Sequence, residues 1–223
     1  MKTMLVLSMG ALLLAGTLSA QTPVPEWQAG VDKMKSLIQT NPAHVYLDAG
    51  KLTEAQEYLA MAKKANNKDP KVSVLEGDIA LAQKNIGQAC QLYEQAIYFD
   101  PNCKEAYLKY AQAYKSASPA LAIEKLEQLK AVDPNCLEAD RELAEVYYSS
   151  NRFGKAAEMY AKFIDTPLAT EDDMLKYAFA LFLNHDFEKS LQVAQKGLQK
   201  NARHAAFNRL VMYNNTDLKR YED

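Results

Sequence analysis

The side chains that most often carry out catalysis or bind metals are few in this chain and widely spaced. His44, His185 and His204 lie far apart, and none has another histidine three or four residues away. A zinc site of the metalloprotease type needs two histidines one helical turn apart, so no such site is expected. The eight glycines lack the spacing of a nucleotide-binding loop, and Gly87 and Gly154 are expected in turns between helices. The residues therefore predict no metal, no cofactor and no enzymatic activity.

Two short charged runs could bind an ion or a nucleic acid, but both fit the ends of helices. The acidic run at 171–173 follows Thr170, and carboxylates after a threonine are typical of a helix N-terminus. The lysines at 63–64 fit the opposite end of a helix. The chain has 26 basic and 28 acidic residues, a formal charge of -2. It has no strong positive field to attract nucleic acid or anionic lipid.

The N-terminal residues have the order of a secretory signal peptide. Lys2 precedes an apolar run from 4 to 14, and small residues ending at Ala20 follow. This run is shorter than the roughly 20 residues that cross a bilayer, so we expect cleavage after Ala20 rather than a retained anchor. Gln21 would then be the first residue, with no cysteine nearby for lipid attachment. The signal, at 1–20, predicts export to the bacterial periplasm or cell envelope.

The chain has the composition of an ordinary soluble globular protein, with 48% hydrophobic and 24% charged residues among its 223. Within it, side chains recur every 33 or 34 residues in three independent rows. One row is Ala55, Ala89, Ala122, Ala156 and Ser190. A second row is Tyr46, Ala80, Tyr114, Tyr147 and Leu181. A third row, of small residues, is Ala43, Gly77, Ala111, Ala144 and Ala178. A period of this length indicates a repeat protein.

Each unit has the pattern of two helices. Tyr107, Tyr110 and Tyr114 lie three and four residues apart on one helical face, and 122–131 has the same pattern. Ser118 followed by a proline is typical of a helix start, and the Asp-Pro pairs at 100–101 and 133–134 are typical of a helix end. The unit is therefore predicted to be a helical hairpin, which is stable only when it stacks against its neighbours.

These features resemble the tetratricopeptide repeat family, whose unit is a 34-residue pair of antiparallel helices. The shared marks are a small residue in the first helix, a large one three later, an alanine opening the second helix and a closing proline. The family's first-helix tryptophan is replaced by Tyr107 in one unit and Asp140 in the next. The resemblance implies an all-α, right-handed superhelical solenoid of antiparallel helix pairs, and it specifies the fold more than the function.

The resemblance covers 43–223 and implies about five repeats followed by a single closing helix around 207–211. Pro42 lies where the first repeat's opening helix should already run. Proline inside a helix costs about 3 kcal/mol, so that helix is expected to be abbreviated and to begin at the proline. The segment 21–42 contains an amphipathic stripe at 27–38, interpreted as an N-terminal capping helix and linker. A partner-binding arm is the alternative for that stripe.

The odd number of cysteines means that Cys90, Cys103 and Cys136 cannot all pair within the chain. Cys103 and Cys136 occupy equivalent places in consecutive repeats, which lie roughly 10 Å apart or more, too far for a disulfide. We expect them to pack as small apolar residues at helix starts, with a redox or intermolecular thiol as the alternative. Most of the thirteen tyrosines fall on the repeat rows and are expected to be structural.

In this family the first helices of successive pairs line a concave groove. The residues that this resemblance places on the groove face are Leu108, Gln112, Lys115, Arg141, Glu145, Tyr148, Leu175, Phe179 and Phe182. Such a groove would be polar and charged in its middle and apolar in the last full repeat. It would suit an extended or helical peptide with an apolar anchor. The alternative is that the aromatic side chains pack against the closing helix.

One subfamily clamps a terminal carboxylate with lysine, asparagine and arginine on these faces, and the match here is poor. Leu108, Gln112 and Glu142 stand where that clamp needs a lysine and two asparagines. The signal, the repeat and the lack of catalytic patterns favour an exported scaffold of the cell envelope that binds protein or peptide segments. A periplasmic binding module for a peptide or glycan is one alternative. An enzyme with an unrecognised site is another.

Overall fold

The structure is a computed structural model, and it describes residues 42–218. The described part is entirely helical, with turns and no strands. Helix α1 covers 42–48, and ten further helices follow it. Their bounds are Leu52–Ala65 (α2), Pro70–Ala82 (α3), Ile86–Phe99 (α4), Lys104–Tyr114 (α5), Pro119–Val132 (α6), Leu137–Ser149 (α7), Phe153–Phe163 (α8), Glu171–Leu183 (α9), Phe187–Lys200 (α10) and Ala205–Asp217 (α11). The signal expected at 1–20 and the capping helix expected within 21–42 lie outside the described residues, apart from Pro42.

The helices form consecutive pairs, from α1 with α2 to α9 with α10, and α11 follows as a single helix. Each second helix also contacts the first helix of the next pair, as α4 contacts α5 and α8 contacts α9. The first helices contact one another directly, α3 with α5, α5 with α7 and α9 with α11. The expected all-α solenoid of helix pairs is therefore confirmed.

Short polar residues set the ends of the helices where the sequence predicts them. Thr170 and Asp173 form a reciprocal capping box at the start of α9, which confirms the capping role of the acidic run. Ser118 precedes Pro119 at the start of α6, although its side chain makes no capping hydrogen bond. Asp133 ends α6, and its carboxylate accepts a hydrogen bond from the amide of Asn135. The capping box satisfies backbone amides that the start of α9 would otherwise leave unpaired.

A residue with left-handed backbone conformation ends the first helix in four of the five pairs. The residues are Gly50, Lys84, Asn151 and His185, with φ between 57° and 72°. Because these residues form the turns, the expectation that Gly87 and Gly154 lie in turns is wrong. Both lie in the first turn of a second helix, α4 and α8 respectively.

The third pair lacks such a residue among its described turn positions, and its chain is one residue shorter. Ala111 and Ala122 are eleven residues apart, whereas the equivalent residues of the other four pairs are twelve apart. The missing residue explains why each row contains one step of 33 rather than 34. Both alanines are nonetheless fully buried, so the stacking of the third pair is preserved.

The rows of small residues lie where helices approach most closely. Ala55, Ala111, Ala144 and Ala178 are completely buried. Gly77 occupies the same row as the last three, and a Cβ atom added to it would lie 2.5 Å from Cε1 of the buried Tyr93 ring. Because Gly77 has no side chain, the Tyr93 ring of α4 can pack against α3 at this position.

In each of two helix pairs, one carboxylate connects the pair to the first helix of the following pair. Asp78 of α3 accepts hydrogen bonds from the Tyr93 hydroxyl (2.7 Å) and from Nζ of Lys109 in α5 (3.1 Å). Glu145 of α7 repeats the arrangement, accepting from the Tyr160 hydroxyl (2.8 Å) and from Nζ of Lys176 in α9 (2.9 Å). The tyrosines and lysines follow the two carboxylates at identical sequence distances of 15 and 31 residues. Each carboxylate thus fixes three helices relative to one another.

We expect Gly77→Ala to destabilise the protein by about 1–3 kcal/mol, because the new methyl group overpacks the Tyr93 ring. Gly87→Ala is the matched control, since a Cβ atom added to Gly87 would have no neighbouring atom within 4 Å. It should be neutral or stabilise by up to about 1 kcal/mol, through the helix propensity of alanine. The measurement is the free energy of urea unfolding followed by circular dichroism. Equal effects of the two substitutions would contradict the close-packing explanation.

The alkaline stability of the protein should depend on Tyr93 and Tyr160. Burial, followed by the adjacent carboxylate, raises the pKa of both hydroxyls. A raised tyrosine pKa stabilises the fold fully below about pH 10, the ordinary pKa in an unfolded chain, and this stability is lost as the pH rises further. The urea midpoint of the Tyr93→Phe/Tyr160→Phe variant should therefore fall less steeply above pH 10 than that of the wild type.

The control for the alkaline experiment is Tyr98→Phe, whose ring is 82% exposed. Its urea midpoint should follow the wild-type dependence on pH, because this substitution leaves the two buried hydroxyls in place. An unchanged alkaline slope in the double variant would show that the two buried hydroxyls do not carry the effect.

Candidate functional site

The first helices of successive pairs lie side by side and form one layer of the solenoid, which we call the first-helix layer (α1, α3, α5, α7, α9 and α11). Direct contacts join α3 to α5 and α5 to α7. Side-chain ion pairs join α7 to α9, where Arg141 bonds Asp173 and Lys176 bonds Glu145. Residues at equivalent positions of these helices therefore lie in one layer of the solenoid.

The middle of this layer is polar and partly open. Gln112 is exposed, and its Nε2 donates a hydrogen bond to Oε1 of Glu142 in α7 at 2.8 Å. Leu108 and Lys115 are half-buried, and Leu108 packs against the large hydrophobic cluster of the third and fourth pairs. An approaching polypeptide would meet an amide, a lysine and a leucine side chain at this point.

In the fourth pair, the predicted groove residues Arg141 and Glu145 are already engaged in ion pairs. Arg141 binds Asp173 through two nitrogens, Nε to Oδ1 at 3.1 Å and Nη2 to Oδ2 at 3.0 Å. Asp173 is buried and also belongs to the capping box of α9. Glu145 bonds Tyr160 and Lys176, so its carboxylate is turned partly toward the second helix α8. These two side chains join repeats as well as lining the layer.

The aromatic residues of the layer are half-buried against their neighbours. The Tyr148 ring packs edge-on against Phe153, with ring centres 5.8 Å apart. The Phe182 ring lies 5.5 Å from Phe187 and 6.1 Å from Tyr213 of α11. Leu175, Phe179 and Phe182 all pack against a buried cluster that includes Phe207 and Leu210 of α11. The apolar end of the layer is therefore built jointly by α9 and the closing helix.

All three cysteines lie in the described part of the chain, and none of them forms a disulfide there. Cys103 and Cys136 occupy the N-cap positions of α5 and α7, as expected for residues at helix starts. Burial raises the pKa of the Cys90 thiol to about 11, and burial also raises the pKa of Cys103 and Cys136. Because the thiolate is the reactive form, these environments are typical of packing rather than of nucleophilic catalysis.

The histidines and the buried acidic residues form contacts within the fold. His204 caps α11 by accepting a hydrogen bond from the amide of Phe207, and His44 lies 3.7 Å from Asp78. Asp140, 2% exposed, pairs with Lys130 and Lys162 from the neighbouring second helices. No group of three potential metal ligands occurs among residues 42–218. Nor does any helix in that range have the length and apolarity to cross a bilayer.

The residues that line the N-terminal part of the layer were not predicted from the sequence. Asp78 and Lys109 line a cleft of about 490 Å³ between α1, α3 and α5, together with residues of α1 such as Asp48. Asp78 lies 34 residues before Gln112. Extending the repeat comparison by one unit upstream would have placed Asp78 on the same face.

The sequence profile described as tetratricopeptide repeat matches this chain at residues 42–104 and 112–169, more than half of its length. No curated protein sequence matches the chain. Many solved structures share the fold, and those named below do so at low sequence identity. PilF of Pseudomonas aeruginosa is 14% identical, with a TM-score of 0.67, over 86% of this chain and 93% of that one.

MamA is 17% identical, with a TM-score of 0.60, over 85% of this chain and 96% of that one. YrrB, described as a TPR protein with an unusual peptide-binding site, is 14% identical with a TM-score of 0.59. That match covers 82% of this chain and 95% of YrrB. Proteins with this repeat are generally non-catalytic scaffolds that bind protein or peptide partners. From the matched repeats and the stacked helix pairs, we conclude that this chain belongs to the tetratricopeptide repeat family.

Proposed function

We propose that this protein is an exported scaffold of the bacterial cell envelope and that it binds segments of partner proteins along its first-helix layer. The observation that carries the proposal is the layer of first helices, in which α3 packs on α5, α5 packs on α7, and ion pairs join α7 to α9. These contacts make a surface that extends from a polar middle, at Gln112, to an apolar end, at Phe179 and Phe182. A surface that changes in this way along its length suits an elongated partner segment.

The contacts within the layer favour binding at a low cost in conformational entropy. Tyr148 and Phe182 are each held by a neighbouring ring, and Arg141 is held by Asp173. Side chains fixed before binding lose little rotamer freedom when a partner arrives. Half-buried aromatic residues beside polar ones are also the residues that contribute most to protein interfaces. We therefore assign most of the binding energy to Tyr148, Phe179 and Phe182.

The proposal of export rests on the sequence of residues 1–20. A basic residue, an apolar run too short to span a bilayer and a small residue at position 20 are typical of a cleaved signal. The near-neutral formal charge of -2 fits a partner that is a protein rather than a nucleic acid.

Partner binding is tested by placing a photo-crosslinking amino acid at Gln112, in the layer, and at Gln91, an exposed residue of α4. Crosslinking in cells, followed by mass spectrometry, should capture a partner segment from position 112 but not from 91. With the purified partner, Tyr148→Ala and Phe182→Ala should each weaken binding by about ten-fold or more, as for central aromatic residues of interfaces. Tyr98→Ala, on the second helix α4, should leave the affinity unchanged.

The helical content of each variant, measured by circular dichroism, distinguishes lost contacts from unfolding. If Tyr148→Ala and Phe182→Ala keep their helical content and their wild-type affinity, the partner does not bind this layer. Capture from Gln91 as efficient as from Gln112 would place the partner on the second helices instead.

Export is tested by expressing the chain with its own leader in a Gram-negative host. The periplasmic fraction should contain a protein whose intact mass corresponds to a first residue at Gln21. Replacing the leucines at 12–14 by charged residues should keep the chain in the cytoplasm, because the apolar run is what the export machinery recognises. A wild-type chain that retains Met1 and stays in the cytoplasm would exclude the exported scaffold.

A further inference from the structure

The cleft at the N-terminal end of the first-helix layer is formed by three consecutive first helices. Its volume is about 490 Å³, and its lining comes from α1, α3 and α5. It lies at the opposite end of the layer from the aromatic residues of α9. Its side chains differ in chemistry from those of the rest of the layer, and they define what it can accept.

The floor of the cleft is electrically neutral. Asp78 is 7% exposed, and its two oxygens are taken by the Tyr93 hydroxyl at 2.7 Å and Lys109 Nζ at 3.1 Å. His44 lies 3.7 Å from the same carboxylate. Asp78 and Lys109 therefore compensate each other, and neither is available to pair with a partner's charge.

The rim of the cleft carries negative charge. Asp48 of α1 and Glu105 of α5 both line the cleft, and both are exposed. Across residues 42–218, neither carboxylate has a lysine, arginine or histidine within ion-pair distance; Lys109 and His44 pair with Asp78 instead. The cleft thus presents these two carboxylates to the solvent above a neutral floor.

Apolar side chains complete the lining of the cleft. Leu47 of α1 and Leu81 of α3 are half-buried and line the cleft. Lysine and arginine have long apolar stems that pack against such side chains while the charged group reaches polar surroundings. A cationic side chain would place its stem against the two leucines and its charged end near Asp48 and Glu105. A carboxylate side chain would be repelled there.

We infer that this cleft binds a lysine or arginine side chain of a partner's extended segment, so the partner of this protein is basic where it meets α1, α3 and α5. The inference rests on the proposed function, because it assumes that the first-helix layer binds a polypeptide. It adds the chemical class of that polypeptide and the orientation of the segment. The basic part lies toward α1, and an apolar anchor lies toward α9.

The test uses an array of immobilised random twelve-residue peptides, probed with the purified mature protein. The rim variant is Asp48→Asn/Glu105→Gln, which removes both charges and keeps the size of the side chains. The control variant, Glu57→Gln/Glu188→Gln, changes the net charge equally at exposed residues of second helices. Peptides selected by the wild type are then synthesised with a fluorescent label, and their dissociation constants are measured by anisotropy for all three proteins.

We expect the peptides bound by the wild type to be enriched in lysine and arginine. The rim variant should lose this enrichment and bind the selected peptides about ten-fold more weakly, as expected for two partly exposed ion pairs. The control variant should behave as the wild type. Bound peptides without basic residues, or equal losses in the rim and control variants, would overturn the inference while leaving peptide binding intact. An array with no bound peptide would overturn both this inference and the proposed function.

Discussion

The close approach of helices at the rows of small residues is the constraint on which the structure depends. A pair of helices exposes an apolar side that it cannot bury alone, and only the neighbouring pair can cover it. That cover requires small residues at the points of contact, such as Ala111 and Ala144, which are completely buried. At Gly77 even a methyl group would be too large, because the Tyr93 ring fills the space. The layer of first helices, and hence the candidate binding surface, is a consequence of this packing.

The repeat architecture could be predicted from the sequence because its causes are local and recur. A small residue is needed wherever two helices touch, and Ala89, Ala122 and Ala156 meet that need at fixed intervals. Helix ends are equally predictable, because short polar residues such as Thr170, Asp173 and Asp133 bond to backbone amides a few residues away. Repetition then extends the local pattern along the chain, so the spacing predicts repeated helical hairpins, and the resemblance to the family implies how they stack.

The partners of individual side chains could not be predicted in the same way. Periodicity shows the face on which Arg141 and Glu145 lie, but it does not show that Asp173 and Tyr160 reach them from other helices. Such contacts depend on the offset between repeats and on side-chain rotamers, and the sequence spacing of the residues determines neither. The turns were also misjudged, since Lys84 and Asn151 adopt the left-handed conformation in which glycine is more usual. The glycines at 87 and 154 lie in the first turns of helices instead.

The α5–α6 turn has a consequence for how this chain can be re-engineered. The segment from Ala111 to Ala122, which contains this turn, is one residue shorter than its equivalents, and yet both alanines keep their buried places. Stacking is thus decoupled from the length of this connection, and exposed turns of that kind are where proteins best accept new chain ends. The exposed residues Ser116 and Ala117 are therefore a natural position for an inserted reporter domain. Such an insertion would leave the layers of helices on both sides undisturbed.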